Sequence, residues 1–219
     1  MKKNILTIIL IAVSVIAFGQ KTKVKESVIK IGDGKNNALI VNINGADVDD
    51  VIKAWKDKMK STGAKVSGKK SMFADDATIL SISSNTMDIY SEISDKGEYV
   101  ELAVGFDLGG AYLNSKEHSS GYKAAEKMLY DFAVGQAKAA IEAEIKAQEG
   151  LIKDTEKDKE KLEKENEKLA SDIEDYKKRI EDAEKNIEDN KTEIENKAKE
   201  LETQNEGLKN LEKKLNDVD

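Results

Sequence analysis

Over the last third of the chain the apolar residues return every seventh position. With Ile152 at a, the a series reads Ile152, Lys159, Asn166, Ile173, Ile180, Ile187, Ile194, Leu201, Leu208 and Leu215. The d series reads Thr155, Leu162, Leu169, Tyr176, Ala183, Asn190, Lys197, Gln204, Leu211 and Val218. Unbroken steps of three and four are the period of an apolar seam on a supercoiled helix. Off the seam nearly every residue is Glu, Lys, Asp or Asn, and no proline interrupts the run. At 1.5 Å per residue the helix would be roughly 100 Å long. So charged a helix cannot bury itself against a small domain, and the pattern predicts a second helix across the seam. The expected coiled-coil core is Ile152, Leu162, Leu169, Ile173, Tyr176, Ile180, Ile187, Ile194, Leu201, Leu208, Leu211 and Leu215.

Before the heptads the period changes. Residues 27–31 and 38–43 read as short strands around a hairpin turn over 32–37. Residues 45–62 read as a helix capped by Asp47, with Val48, Val51, Ile52, Trp55 and Met59 on one face. A small hairpin over 64–67 and 71–73 follows, then strands over 78–83, 86–94 and 98–108. The last two alternate strictly. Met87, Ile89 and Ile93 share one face, as do Val100, Leu102, Val104 and Phe106, which predicts an antiparallel sheet covered on one side. After a loop over 112–121, a second helix starts at Tyr122 and carries Ala125, Met128, Leu129, Phe132 and Ala133 on a broad apolar face. It is expected to run without a break into the heptads, with Gly150 as its joint.

These patterns predict an α+β protein: a small antiparallel sheet packed by two helices, followed by a long C-terminal coiled-coil helix. The expected domains are a signal peptide over 1–19, an α+β head over 20–134 and a coiled-coil stalk over 135–219. The leader reading rests on Lys2 and Lys3 before an apolar run over 5–18, with Ala17 and Gly19 at the recognition positions. Cleavage after Gly19 is expected. The competing reading is an uncleaved anchor, against which the run is shorter than the ~20 residues a span needs. No later stretch is apolar enough to span a bilayer, so no transmembrane segment is expected after cleavage.

Charge and composition narrow the functional classes. The chain is 36% charged and 5% aromatic, too polar for one globular core. Residues 150–219 hold 16 Lys/Arg against 23 Asp/Glu, a net −7, while the rest holds 20 of each sign. The excess acid sits on the heptads, where it disfavours nucleic acid and anionic lipid. Without cysteine there is no disulfide, thiolate metal site or lipid-anchoring cysteine.

The catalytic inventory is thin. Gly32-Asp33-Gly34-Lys35 lacks the rest of a phosphate-loop spacing and no helix follows it, so it reads as a turn. Asp47, Asp49 and Asp50 could be joined to Asn42 and Asn44 as a calcium site, but the spacing fits a helix cap better. His118 is the only histidine, short of a zinc set or a serine triad. No catalytic, cofactor or metal residues are expected.

The seam suggests a homo-oligomer, a dimer before a trimer, and leaves parallel and antiparallel arrangements open; the charge pairs can be read for a parallel dimer. Isoleucine holds each a position from Ile173 to Ile194, and polar Lys159 and Asn166 would fix register. Across such a dimer Asp172 would face Lys177 and Arg179 would face Glu184, while Asp158 would meet Glu163 unfavourably. The competing reading is a lone charged helix held by pairs three and four residues apart.

Three segments carry a resemblance: Asp47-Val-Asp-Asp-Val-Ile-Lys-Ala-Trp-Lys-Asp-Lys, Asn85-Thr-Met-Asp-Ile-Tyr-Ser-Glu-Ile and Val104-Gly-Phe-Asp-Leu-Gly-Gly-Ala-Tyr-Leu. Together with the leader ending in Phe18-Gly19-Gln20, they resemble uncharacterised exported proteins of the Bacteroidetes with a small α+β head and a C-terminal coiled coil. The resemblance covers roughly residues 38–132 and implies a compartment, the periplasm or envelope of a Gram-negative bacterium, without an activity. The expected function is an exported, non-enzymatic structural or interaction protein. It would associate or space through its heptads and present the head to an unknown envelope protein. The alternative is a periplasmic small-ligand module with a pocket between head helix and sheet, near Trp55, Tyr90 and Tyr112.

Overall fold

A computed structural model describes residues 22–217. The expected signal peptide over 1–19 and the last seam position, Val218, lie outside the described residues. Among those described, six strands and two helices follow in the order β1 (Val24–Ile31), β2 (Gly34–Asn44), α1 (Val48–Lys60), β3 (Lys65–Gly68), β4 (Ser71–Ala77), β5 (Met87–Asp95), β6 (Tyr99–Asp107) and α2 (Ser119–Asn216). The strands form one sheet in the order β1-β2-β6-β5-β4-β3, with every neighbouring pair antiparallel. Among the described residues the chain divides into two units, the first ending at Glu149 and the second beginning at Gly150.

The first hairpin turns more tightly than its polar residues predict. Ile31 already pairs with Gly34, leaving only Gly32 and Asp33 in the turn. Gly32 takes φ +66°, the left-handed conformation such a turn needs. Asn36 Nδ2 closes it from within β2, donating to Ile31 O (2.9 Å) and Asp33 Oδ1 (3.0 Å). Lys35, Asn36 and Asn37 are therefore strand residues, held by pairing with β1 despite low strand propensity.

In α1 the cap behaves as its sequence predicts. Asp47 Oδ1 accepts from the backbone N–H of Asp49 (2.8 Å) and Asp50 (3.1 Å), and Val51, Ile52, Trp55 and Met59 are buried along one face. The segment over 78–83 departs from expectation. It is a turn and not a strand: Ile82 N (2.8 Å) and Ser83 N (3.1 Å) both donate to Ile79 O, while Thr78 N donates to Thr62 O (3.0 Å). With its amides spent this way the segment has no ladder to join. Strand β4 instead runs on to Ala77 through a bulge, where Asp76 sits at φ +59°.

Along β5, Met87, Ile89, Ser91 and Ile93 are buried on one face, and Leu39, Val41, Ile43, Val100, Leu102, Val104 and Phe106 continue that face across β2 and β6. Both helices join this core: α1 through its buried face and α2 through Ala125, Leu129 and Ala133, with Phe132 packed against them. Trp55 and Phe132 meet edge to face with centroids 5.0 Å apart. The second helix begins three residues earlier than expected, at Ser119. Its buried Gly121 lies under the 78–83 turn, where a Cβ would run into the Ile82 carbonyl. Glycine is required there by close approach.

The second unit is helical through Asn216, with Gly150 and Gly207 inside the helix. Its ion pairs are local, including Lys157–Asp154 (3.1 Å), Lys177–Glu174 (3.0 Å), Lys191–Glu188 (3.3 Å) and Lys197–Glu200 (2.8 Å). Each such pair contributes roughly 0.2–0.5 kcal/mol to the helix. No described helix is long and apolar enough to cross a membrane.

Candidate functional site

Two surfaces stand out, one in each unit. In the second, all twelve expected core residues are exposed, from 50% at Ile152 to 72% at Leu215. Apolar side chains recurring at this spacing and exposed to solvent mark the helix as a candidate surface.

In the first unit the sheet face opposite the helices carries a strip of aromatic side chains. Phe73 and Tyr90 are paired across β4 and β5 and stack with centroids 4.9 Å apart and planes at 28°. Tyr90 and Tyr112 follow at 6.3 Å and 31°. Tyr112 reaches this face because the chain after β6 turns back at Gly109, and Tyr112 bridges to Asp107. Its ring then lies over Gly105, where a Cβ would come within 3.1 Å of Tyr112 Cε1. A Cβ on Gly32 would clash with the Tyr112 phenol oxygen and lie 3.2 Å from the Tyr90 ring. Gly32 and Gly105 thus make the floor flat enough for the rings.

The Tyr112 oxygen is buried and has no hydrogen-bond partner. Asn36 faces it with an amide whose two hydrogens already go to Ile31 O and Asp33 Oδ1. Burial first, then the charges of Asp107 and Asp33, push this phenol up to about 12, with the Asn36 amide partly opposing them. Tyr90 is raised for the same reasons, burial first and then Asp88, Asp107, Asp33 and Asp75.

Those carboxylates form a rim along one side of the strip, two residues further along the same strands. Asp88 and Asp107 are direct cross-strand partners on β5 and β6. Carboxylate oxygens of Asp75, Asp76 and Asp88 come within 4.8 Å of one another, and Asp88 Oδ1 accepts from Asp76 N (3.2 Å). Three monodentate oxygens fall well short of the six to eight that calcium takes. No ion pair among the described residues involves Asp33, Asp75, Asp76, Asp88 or Asp107.

The expected pocket beside Trp55, Tyr90 and Tyr112 does not form. Trp55 is fully buried beneath the opposite face, where its Nε1 donates to Ser91 Oγ (2.8 Å). Successive side chains of β5 point to opposite faces, so the neighbour of Ser91, Tyr90, lies on the far side of the sheet from Trp55. Tyr90 and Tyr112 do come together, joined by Phe73 and the aspartate rim, which were not singled out from the sequence. Asp47 and Asp49 are engaged elsewhere, the first as the α1 cap and the second in an ion pair with Lys69 (3.1 Å). His118 Nδ1 accepts from Asn114 N (3.3 Å) and so steadies the loop before α2.

The loop is tied to β1 by Glu26, whose Oε1 accepts from Asn37 Nδ2 (2.7 Å) and Ser115 N (3.0 Å), while Asn37 Nδ2 also donates to Leu113 O (2.7 Å). Partial burial opposes ionisation of Glu26. The hydrogen bonds from Ser115 and Asn37 outweigh it and hold the carboxyl below its usual range. The chain matches no family model, no curated protein and no solved structure.

Proposed function

We propose that this is an exported, non-enzymatic structural or interaction protein that associates with copies of itself through a heptad coiled coil and offers its α+β unit to a partner in the periplasm or cell envelope. One observation carries the reading: an apolar stripe of seven-residue period lies solvent-exposed along the second unit. A lone helix gains nothing from that stripe, whereas helices joined along it bury it from both sides. In a parallel dimer Asp172–Lys177 and Arg179–Glu184 attract and Asp158–Glu163 repels, a mild balance in its favour, while Tyr176, Ala183 and Asn190 at d weaken the preference that isoleucine at a gives. Lys177 already reaches Glu174 within its own helix, so the interchain pair would compete with a local one.

Sedimentation equilibrium on the full chain tests the association. A concentration-dependent dimer is expected, and a strict monomer at high micromolar concentration overturns the reading. Export rests on the leader over 1–19 and the Bacteroidetes-like pattern around it. Sequencing the N-terminus of protein recovered from the periplasm is expected to begin at Gln20.

A further inference from the structure

The aromatic strip has the makings of a recognition surface whose chemistry can be named. Phe73, Tyr90 and Tyr112 cross the sheet as three rings at steps of 4.9 and 6.3 Å. Both helices pack on the opposite face. Along one side of this row stand Asp33, Asp75, Asp88 and Asp107, none in an ion pair among the described residues. Asp88 directly opposite Asp107 is a like-charge cross-strand pair, an arrangement that costs stability in a sheet. The chain outside the heptads carries equal numbers of acids and bases, so this negative charge is a local accumulation. Aromatic faces attract cations through their quadrupole, and a carboxylate at the ring edge adds a second attraction for the same group.

We propose that the Phe73–Tyr90–Tyr112 strip docks an extended, lysine- or arginine-bearing segment of a partner protein, its cationic side chains lying across the rings and ending at Asp33, Asp88 and Asp107. Spacing selects a peptide over a single small amine. Alternate residues of an extended chain project to the same side about 6.8 Å apart, close to the step from Tyr90 to Tyr112. A cationic segment also neutralises the Asp88–Asp107 pair, which no lysine or arginine among the described residues pairs. The proposal deepens the reading of the α+β unit as the partner-binding part and does not depend on the heptads associating.

The test uses the full chain and a fluorescent peptide of alternating arginine and serine, followed by anisotropy at physiological salt. An alternating glutamate–serine peptide serves as the charge control. Asp88→Asn/Asp107→Asn is expected to weaken arginine-peptide binding roughly tenfold, since two partly exposed charge contacts are lost. Tyr90→Leu is expected to weaken it about two- to fivefold through loss of the ring face. Glu181→Gln/Glu188→Gln, the same charge change on the heptad helix, should leave binding within about twofold.

Neutralising like-charged neighbours relieves repulsion, so the aspartate variant should fold at least as well as the parent, which a thermal melt followed by Trp55 fluorescence verifies. Equal weakening by the heptad variant, equal binding of the glutamate peptide, or no binding by the parent each overturns the proposal. Sedimentation of the same samples separates the two readings. A monomer that binds the peptide sinks only the coiled coil, and a dimer that does not bind sinks only the docking strip.

Discussion

Replacing Ile180 and Ile187 by alanine removes two layers of the seam without weakening the helix that carries them, because alanine is the better helix former. Ile180 is 58% exposed and Ile187 55%, so a little over half of each side chain remains for a partner to cover. Complete burial of an isoleucine is worth about 1.5–3 kcal/mol, and the uncovered part therefore roughly 0.9–1.7 kcal/mol. Alanine keeps one carbon of four, so each chain loses roughly 0.7–1.3 kcal/mol per layer on association. With two chains and two layers the dimer loses roughly 2.5–5 kcal/mol, or about two to three and a half powers of ten in Kd.

Sedimentation equilibrium over a wide micromolar range reads that shift, and far-ultraviolet circular dichroism on monomeric samples verifies that helicity has not fallen. If parent and variant associate equally tightly, the stripe is not the interface and the argument from its period fails.

Three further outcomes follow from the first unit. Ser91→Ala should cost about 1–3 kcal/mol in urea unfolding followed by Trp55 fluorescence, because it strands the buried indole N–H, and no loss would mean that the Trp55–Ser91 bond contributes little. Gly121→Ala should destabilise by about 1–3 kcal/mol or more as its methyl meets the Ile82 carbonyl. Gly135→Ala on the same helix, where a Cβ would find open space, should instead stabilise by up to about 1 kcal/mol, and equal effects would refute the close-approach argument.

Stability should also fall at both ends of the pH scale. Tyr112 holds its proton to about 12 when folded but releases it near 10 when unfolded. The folded state thus binds the extra proton in that window and loses stability as pH rises through it, a loss Tyr112→Phe should reduce, with Tyr90 leaving a remainder of the same sign. Glu26 has the opposite sign. Its folded pKa is depressed, so its contribution is present above the unfolded value and fades as pH falls through the folded one.

Much of this architecture was legible because burial imposes a period. Residues 86–94 and 98–108 alternate because one face meets the core, and the structure pairs them as β5 and β6. Local propensity failed where partners decide. The β-branched Thr78, Ile79 and Ile82 read as strand, yet the Ile79 carbonyl accepts from Ile82 N and Ser83 N in a turn, Thr78 N donates to Thr62 O, and Leu80 stands 77% exposed. Lys35, Asn36 and Asn37 read as turn, yet β1 and two side-chain amides hold them in the ladder. The site was half visible. Tyr90 and Tyr112 belong together, but hydrophobicity alone could not tell that Trp55 lies in the layer beneath. The available signals for the rest were Phe73 alternating with buried Met72 and Ala74, and aspartates recurring at strand ends.

Strand β1, one of the two outer strands, has no second neighbour in the sheet among the described residues, and Val28 at its middle is 66% exposed. Such a border invites another chain to extend the ladder. Lys25, Glu26 and Lys30 line it, all exposed, and charge at a border is a common safeguard against that growth. Copies gathered by a heptad bundle would confront one another at locally millimolar concentration. In such an assembly the lysines would oppose strand addition from one copy to the next.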